Sequence, residues 1–217
     1  MPRVPATERR PLLAAAALRV LARDGLAAVT TRAVVAEAGM KLASFHYVYD
    51  SRTELLRDLV AGVVEGEREG ALAGLADVDL AGLAERPDAA AVEEVLLGCL
   101  RGYLALVVAD PGREQGMFEL TQHALREPTL DGLAGEQYAH YHALVAELLD
   151  ELGARLGVTW DADLADLARL VVALTDGLTL AWLADRDAEA TERTARLAAR
   201  AVAGHAVLAQ AGAAVVP

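Results

Sequence analysis

The chain has 217 residues, of which 54% are hydrophobic and 4% aromatic, with seven prolines, one cysteine and a net charge of −12 at pH 7. A chain of this length can bury a hydrophobic core. Its single cysteine, Cys99, excludes an intrachain disulfide. We expect Cys99 to be a buried small hydrophobic residue. The N-terminus has no signal-peptide run, and charges interrupt the most apolar later stretch, residues 168–184, so we expect a soluble, cytoplasmic protein without a membrane partner.

Charge is distributed unevenly along the chain. Residues 1–57 contain nine basic side chains against five acidic ones, a net charge of +4 that leaves −16 for the remainder. A basic head can approach a polyanion that would repel the acidic body, so the field itself would orient the protein on DNA. The alternative is that the acidic excess only confers solubility.

Apolar positions recur every three or four residues rather than alternating, which indicates an all-α fold. A first helix is predicted over residues 10–23, and Gly25 follows its end. Thr30 and Thr31 can cap a second, short helix, and Gly39 can supply a tight turn after it. This spacing predicts a helix-turn-helix unit.

The third predicted helix starts at about Lys41 and has two different sides. Polar or aromatic groups that can contact a groove are Lys41, Ser44, His46 and Tyr47. Residues that can anchor the helix to its neighbours are Met40, Phe45 and Tyr49. We therefore expect one face to pack and the other to contact DNA.

The remaining chain is also predicted to be helical. Ser51 and Glu54 form a capping-box pattern that begins a fourth helix, and residues 70–87 are predicted to be a frayed helix end and loop. Further helices are expected near residues 89–109, 113–126, 130–156, 162–184 and 188–211. The prediction is about nine helices, with a DNA-binding domain over residues 1–57 and a ligand-binding and dimerisation domain over residues 58–217.

The first 57 residues resemble the DNA-binding head of the tetracycline-repressor (TetR) family. The resemblance depends on Ala22-Arg23-Asp24-Gly25, Thr30-Thr31-Arg32, Ala38-Gly39-Met40, and Phe45-His46-Tyr47-Val48-Tyr49 followed by Ser51-Arg52-Thr53-Glu54-Leu55. It implies three N-terminal helices, a linking fourth helix and a helical body that binds a ligand and dimerises. Family members commonly have Tyr at the position of His46 and often a polar or basic residue at that of Leu42.

Contacts with DNA divide into phosphate contacts, which set affinity and register, and base-edge contacts, which select sequence. The phosphate candidates are Thr30, Thr31, Arg32, Tyr47 and Arg52, and His46 is a less secure backbone contact. The base-edge candidates are Lys41, Leu42, Ala43 and Ser44. Lys41, the only lysine of the chain, suits guanine O6 or N7, and Leu42 can meet a thymine methyl or simply pack. A dimer with two such heads would bind a palindromic duplex.

The resemblance also implies an effector cavity and a dimer interface in the body. Polar and aromatic candidates for the cavity are Tyr103, Met117, Phe118, Gln122, His123, Tyr138, Tyr141, His142, Thr175, Thr179 and Trp182. They suit a small, mostly hydrophobic effector. Small residues that would let helices approach across a dimer interface are Ala173, Gly177, Ala181, Ala198, Ala201 and Gly204. Packing within one chain is the alternative for both sets.

Other functions find little support in the sequence. Glu119 and His123 share a helix face but lack a third metal ligand, and His140 and His142 would point to different sides of a helix. No nucleophile elbow, phosphate loop or paired carboxylate motif is present, so neither an enzyme nor a cofactor is expected. The interpretation is a repressor that an effector releases from DNA; the alternative is a regulator with a packed body that responds to a protein partner or acts as an activator.

Overall fold

The computed structural model describes residues 6–76, 78–85 and 88–208, and over these residues the chain forms ten α-helices and two short strands. The helices are α1 (Ala6–Asp24), α2 (Thr31–Glu37), α3 (Leu42–His46), α4 (Arg52–Ala73), α5 (Leu80–Ala84), α6 (Ala89–Ala109), α7 (Pro111–Ala124), α8 (Leu133–Leu156), α9 (Leu164–Asp185) and α10 (Ala188–Ala203). Short 3-10 helices cover Leu26–Ala28 and Pro128–Leu130, and strands β1 (Val158–Trp160) and β2 (Ala206–Leu208) pair antiparallel. The predicted all-α class is confirmed.

Two local predictions were wrong. The segment predicted as a frayed end and loop contains α5, which begins where the Asp79 carboxylate accepts a hydrogen bond of 3.0 Å from the Gly82 amide. The last helix, predicted to reach residue 211, ends at Ala203, because the chain turns there and β2 pairs with β1. That pairing joins segments almost fifty residues apart, which helical periodicity cannot reveal.

Aspartates begin several of the predicted helices. The carboxylates of Asp110, Asp163 and Asp187 each accept a hydrogen bond of 2.8–3.0 Å from a backbone amide in the first turn of α7, α9 and α10. Such caps satisfy amides that have no partner within the helix. The polar breaks in the sequence therefore mark real helix starts.

The described residues form two compact units, which we call the first and the second unit. The first unit comprises residues 6–68 and 106–140, and the second comprises residues 69–105 and 141–208. In the first unit, apolar side chains of α1, α2, α3, α4 and α7 form one core, with Leu13, Val34, Phe45, Leu56 and Leu120 all at most 2% exposed. The helix-turn-helix thus shares its core with α7.

The second unit packs α10 against α6, α8 and α9 through a core that includes Ala195, Ala199 and Val202. Bidentate ion pairs from Arg101 to Glu192 and from Arg200 to Glu93 tie α6 to α10 at 2.5–3.2 Å. They hold the outer helix in register with the core.

Helices α4 and α6 cross in backbone contact in the second unit. A Cβ added at Gly102 would lie 2.1 Å from the Gly70 oxygen, and one added at Gly74 would lie 2.0 Å from the Gly98 oxygen. Only glycine therefore fits at this crossing. Cys99 lies between these α6 glycines in a half-buried position, and burial raises the pKa of its thiol to about 11, so the thiol is protonated at neutral pH.

Helix α9 is, among the described residues, the one helix long and apolar enough to cross a membrane by length and composition. One such helix is weak evidence for a membrane protein, because core helices of soluble proteins have the same character. Its apolar side chains are only partly covered within this chain: Leu178 is 4% exposed and Leu180 is 59% exposed.

Candidate nucleic-acid interface

The turn between α2 and α3 is built as the sequence predicts. The Thr30 hydroxyl caps α2 by accepting a hydrogen bond of 3.2 Å from the Ala33 amide. Gly39 has φ +64°, a conformation that side-chain-bearing residues rarely adopt. The chain can therefore reverse sharply, and the Met40 amide donates to the Val35 carbonyl at 2.7 Å.

Helix α3 has two distinct faces. Phe45 and Tyr49 are 2% and 1% exposed, with ring centroids 5.4 Å apart, which confirms that they anchor the helix. On the other side Leu42 is 42% and Tyr47 is 71% exposed. Large apolar and aromatic groups this accessible are available for contact with a partner.

Most of the proposed DNA contacts lie on the accessible side of the first unit. The exposed ones are Thr30, Arg32, Lys41, Leu42, Ala43, His46 and Tyr47, and the half-buried ones are Thr31, Ser44 and Arg52. Lys41 occupies the N-cap position of α3, where no side-chain cap bond is formed. The set stays a prediction about DNA, and its accessibility is consistent with that role.

Arg52 has an internal role that the sequence does not reveal. Its Nε donates to the Val29 carbonyl at 2.7 Å and its Nη2 to the Leu26 carbonyl at 2.9 Å. Burial lowers the pKa of this guanidinium below its ordinary value, although the group remains charged. Arg52 therefore supports the connection between α1 and α2, whether or not it also contacts phosphate.

Sequence reasoning missed the part that Arg10 plays in supporting α3. Its guanidinium pairs with the carboxylate of Asp58 and donates at 2.7 Å to Glu54, and it lies 4.8 Å from the centroid of the Tyr49 ring. The hydrogen bonds that Arg10 donates to the carboxylates of Asp58 and Glu54 raise the pKa of its guanidinium. Its Nη1 also donates to the Val48 carbonyl at 3.5 Å, just beyond the end of α3. The start of α1 is thus tied to the end of the recognition helix.

Arg9, beside it in sequence, turns toward the accessible face. Its guanidinium carbon lies 5.6 Å from the centroid of the exposed Tyr47 ring, within cation–π distance. Two adjacent arginines therefore have different surroundings, and only the fold distinguishes them. Arg9 joins the candidate phosphate contacts.

The predicted cavity residues are distributed over both units. Met117, Phe118, Gln122, His123 and Tyr138 belong to the first unit, and the others belong to the second. Gln122 and His123 are exposed, whereas Met117 is buried. These residues stay predictions as effector contacts.

In the second unit the structure brings two of the predicted cavity residues into contact. The hydroxyls of Tyr103 and Thr179 lie 2.7 Å apart, and Thr179 is fully buried. Thr175 instead donates to the Val172 carbonyl within its own helix, and Trp182 lies under the guanidinium of Arg186 at 4.2 Å.

His142 lies on α8 of the second unit in a charged neighbourhood. Partial burial lowers the pKa of its imidazole, the charge of Arg169 lowers it further, and Asp176 opposes both effects. The neutral imidazole is therefore favoured, with both a donor and an acceptor nitrogen.

A pair that the sequence did not single out lies inside the first unit. The Thr121 hydroxyl donates to the Gln137 side-chain oxygen at 3.0 Å, and the two residues are 7% and 2% exposed. A buried amide and hydroxyl are uncommon in a helical core and need partners. Thr121 and Gln137 lie on different helices, so no local sequence pattern predicts that they meet.

Helices α9 and α10 enclose a groove of about 390 Å³. Of the six residues predicted for a dimer interface, Ala173, Gly177, Ala181, Ala198 and Ala201 line it, whereas Gly204 does not. The groove also contains Leu197, which is 63% exposed. A Cβ added at Gly177 would meet nothing within 4 Å, so this surface leaves room for another backbone to approach.

Within the described ranges, no group of three or more His, Cys, Asp and Glu side chains could hold a metal ion. The Glu119 carboxylate accepts a hydrogen bond from the Leu26 amide at 2.9 Å.

Family models match both parts of the chain. The model described as bacterial regulatory proteins, tetR family, matches residues 13–59, and the one described as BetI-type transcriptional repressor, C-terminal, matches residues 90–207. The chain is 25% identical over 185 residues to the HTH-type nicotine-responsive transcriptional repressor HdnoR of Paenarthrobacter nicotinovorans, which covers 84% of this chain and 88% of the relative.

Solved structures are similar over nearly the whole chain. A TetR-family transcriptional regulator from Rhodococcus sp. superposes with a TM-score of 0.71 at 18% identity, covering 92% of this chain and 98% of the other. The multidrug binding protein EbrR complexed with imidazole has a TM-score of 0.54 at 26% identity, covering 89% and 94%.

The two tyrosines beside α3 should respond differently to loss of the hydroxyl. The Tyr49 hydroxyl donates to Asp58 at 2.8 Å in a buried site, and its pKa is raised mainly by burial, so it stays a donor at neutral pH. We expect Tyr49→Phe to lower the free energy of unfolding by about 1–2 kcal/mol, because Asp58 loses a partner. Tyr47→Phe should change it by less than about 0.5 kcal/mol, since that ring is exposed.

Urea unfolding followed by circular dichroism would measure both variants. Equal unfolding free energies for Tyr49→Phe and the wild type would contradict the supporting role of the Tyr49 hydroxyl.

Proposed function

This chain belongs to the TetR family of transcriptional regulators, and we propose that it is a repressor that binds a palindromic DNA operator as a homodimer and is released by a small, mostly hydrophobic effector. The observation that carries the proposal is the accessible face of α3, with Lys41 at its start and Leu42 and Tyr47 exposed, above a buried anchor of Phe45 and Tyr49. A regulator of this kind acts on DNA in the cytoplasm.

The proposed contacts follow from this face. Lys41, Leu42, Ala43 and Ser44 would enter the major groove, where each base pair presents a distinct pattern of donors, acceptors and methyl groups. The phosphate set would be Arg9, Thr30, Thr31, Arg32, His46, Tyr47 and Arg52. The +4 charge of residues 1–57 would bring this face toward DNA, and affinity should fall steeply with salt.

Selection of bound duplexes from a random pool tests the proposal directly. The wild type should recover a palindrome with half-sites roughly 34–36 Å apart, or one further helical turn. Lys41→Ala should blur the preference at one position of each half-site and weaken binding by about 1–3 kcal/mol, because it removes a base-edge donor. Arg126→Ala removes an exposed cation outside the proposed contact set and should leave the selected sequence unchanged. Recovery of only unrelated sequences by the wild type would refute the operator proposal.

We assign the groove between α9 and α10 to the homodimer. It is lined mostly by small and apolar residues, and a second copy would cover the exposed Leu197 together with Ala173 and Gly177. Four helices that pack across a two-fold axis through small residues would approach closely. This would also bury apolar surface of α9 that the single chain leaves accessible.

Replacement of one exposed leucine by arginine tests this interface. Leu197→Arg should convert dimers to monomers in sedimentation velocity, because it places a charge in the apolar groove. Leu125→Arg, at a leucine that is 66% exposed outside the groove, should leave the dimer intact. Dimers that persist in Leu197→Arg would place the interface elsewhere.

The effector is proposed from the body and the relatives together. One relative is named as nicotine-responsive and a solved structure contains a multidrug binding protein with imidazole, both nitrogen-containing ring compounds. The charge of −16 beyond residue 57 would attract a protonated amine, and the Tyr103–Thr179 hydroxyl pair would supply polar contacts.

Thermal unfolding with nicotine, imidazole and an uncharged aromatic of similar size would test this class. A binding amine should raise the unfolding midpoint and release the selected duplex, and Thr179→Val should reduce both effects. If no amine stabilises the protein or releases the duplex, the alternative of a packed body that responds to a protein partner, or of an activator, is favoured.

A further inference from the structure

The connection between α1 and α2, residues 25–30, is held from two sides in the first unit. On one side the Glu119 carboxylate of α7 accepts a hydrogen bond of 2.9 Å from the Leu26 amide. On the other side Arg52 of α4 donates to the carbonyls of Leu26 and Val29 at 2.9 and 2.7 Å. The donor and acceptors of this short connection thus have partners on two long helices.

Helix α7 packs so closely on α1 that its glycines lie in direct contact with α1. A Cβ added at Gly112 would lie 2.2 Å from the Ala22 oxygen, and one added at Gly116 would lie 2.6 Å from the Leu21 side chain. Gly112 and Gly116 are one turn apart, so they share one face of α7. This close contact places Glu119, three residues further on, beside the end of α1.

Gly25 also contributes to the contact between Glu119 and the connection. It has φ +81°, and a Cβ there would lie 3.1 Å from the same Glu119 oxygen. The turn therefore leaves room for the carboxylate that accepts the next amide in the chain.

We propose that Glu119 is a positioning residue for DNA recognition, and that α7 acts as part of the DNA-reading head through it. The proposal rests on the proposed DNA-binding function. Val29, held by Arg52, directly precedes Thr30, which caps α2, and α2 leads through Gly39 into α3. A displaced connection would therefore displace the start of α2, and α3 is too short to keep its orientation without α2.

A purely electrostatic role of Glu119 predicts the opposite effects of substitution on DNA affinity. The two roles can therefore be distinguished by experiment. Glu119 is an exposed acidic group on a protein that approaches a polyanion. If it acted only through its charge, then Gln in its place would tighten DNA binding and Asp would leave it unchanged. A positioning role predicts that Asp weakens DNA binding and that Gln preserves it. Gln keeps a side-chain oxygen at the distance of the Leu26 amide, whereas the Asp side chain is one methylene shorter.

The experiment compares Glu119→Asp and Glu119→Gln with the same two changes at Glu136. Glu136 is a matched control, since it is an exposed acid of the first unit that pairs with Arg57 at 2.6 Å and does not touch the connection. The readouts are the Kd for a duplex selected by the wild type, the thermal unfolding midpoint, and hydrogen exchange at the Leu26 amide.

We expect Glu119→Asp to weaken binding about three- to tenfold, the loss typical of one hydrogen bond. The Leu26 amide should exchange faster, and the unfolding midpoint should fall by no more than about 2–4 °C, the shift expected for one lost hydrogen bond in a chain of this size. Glu119→Gln should bind within about twofold of the wild type, and both Glu136 variants should bind at least as tightly.

The inference is overturned if Glu119→Asp binds like the wild type, or if the two Glu119 variants follow the two Glu136 variants. In both cases sequence-specific binding by the wild type leaves the proposed function intact. Absence of sequence-specific binding by the wild type would overturn the proposed function and this inference together.

Discussion

A helix of five residues cannot maintain its own shape in water, and the recognition helix α3 of this protein is that short. Its geometry depends on tertiary contacts: Phe45 and Tyr49 bury in the core, and the Asp58 carboxylate accepts from both the Tyr49 hydroxyl and the Arg10 guanidinium. These charge-assisted bonds join the beginning of α1, the end of α3 and the first turns of α4. The geometry of α3 is therefore a property of the whole first unit.

That unit extends beyond the predicted DNA-binding domain. Residues 1–57 contain the helix-turn-helix pattern, whereas the compact unit continues to residue 68 and includes residues 106–140. Helix α7 enters it through glycine contacts with α1, and its Met117 and Leu120 share the core of the head. A helix expected to line an effector cavity is thus also a structural part of the DNA-reading head.

In the second unit, one side of α9 and α10 packs in the core and the other side is accessible. Ion pairs from Arg101 and Arg200 hold α10 against α6, and Ala195 and Ala199 fill the core below it. The opposite side leaves Leu197 and the small residues of α9 accessible in the groove. The high hydropathy of α9 has a simple physical reason if both its faces are covered, one by its own chain and one by a second copy.

The sequence by itself determined the helical class, the capped starts of α2 and α4, the Gly39 turn, and the anchor formed by Phe45 and Tyr49. The two caps and the turn depend on residues within one or two helical turns: the Thr30 hydroxyl accepts from the Ala33 amide, and the Ser51 hydroxyl accepts from the Glu54 amide at 3.1 Å. The spacing of residues along the chain predicts local hydrogen bonds and helical periodicity directly.

Only the tertiary structure decided how equivalent residues are used. It directed Arg10 to the carboxylates of Glu54 and Asp58, Arg9 to the Tyr47 ring and Arg52 to backbone carbonyls. It also brought Glu119 to the Leu26 amide, 93 positions away along the chain. It also paired β1 with β2, which ended α10 early. A guanidinium or carboxylate can serve a phosphate, a backbone group or an ion pair, and which of these it meets depends on helices that are distant in sequence but packed together in the fold.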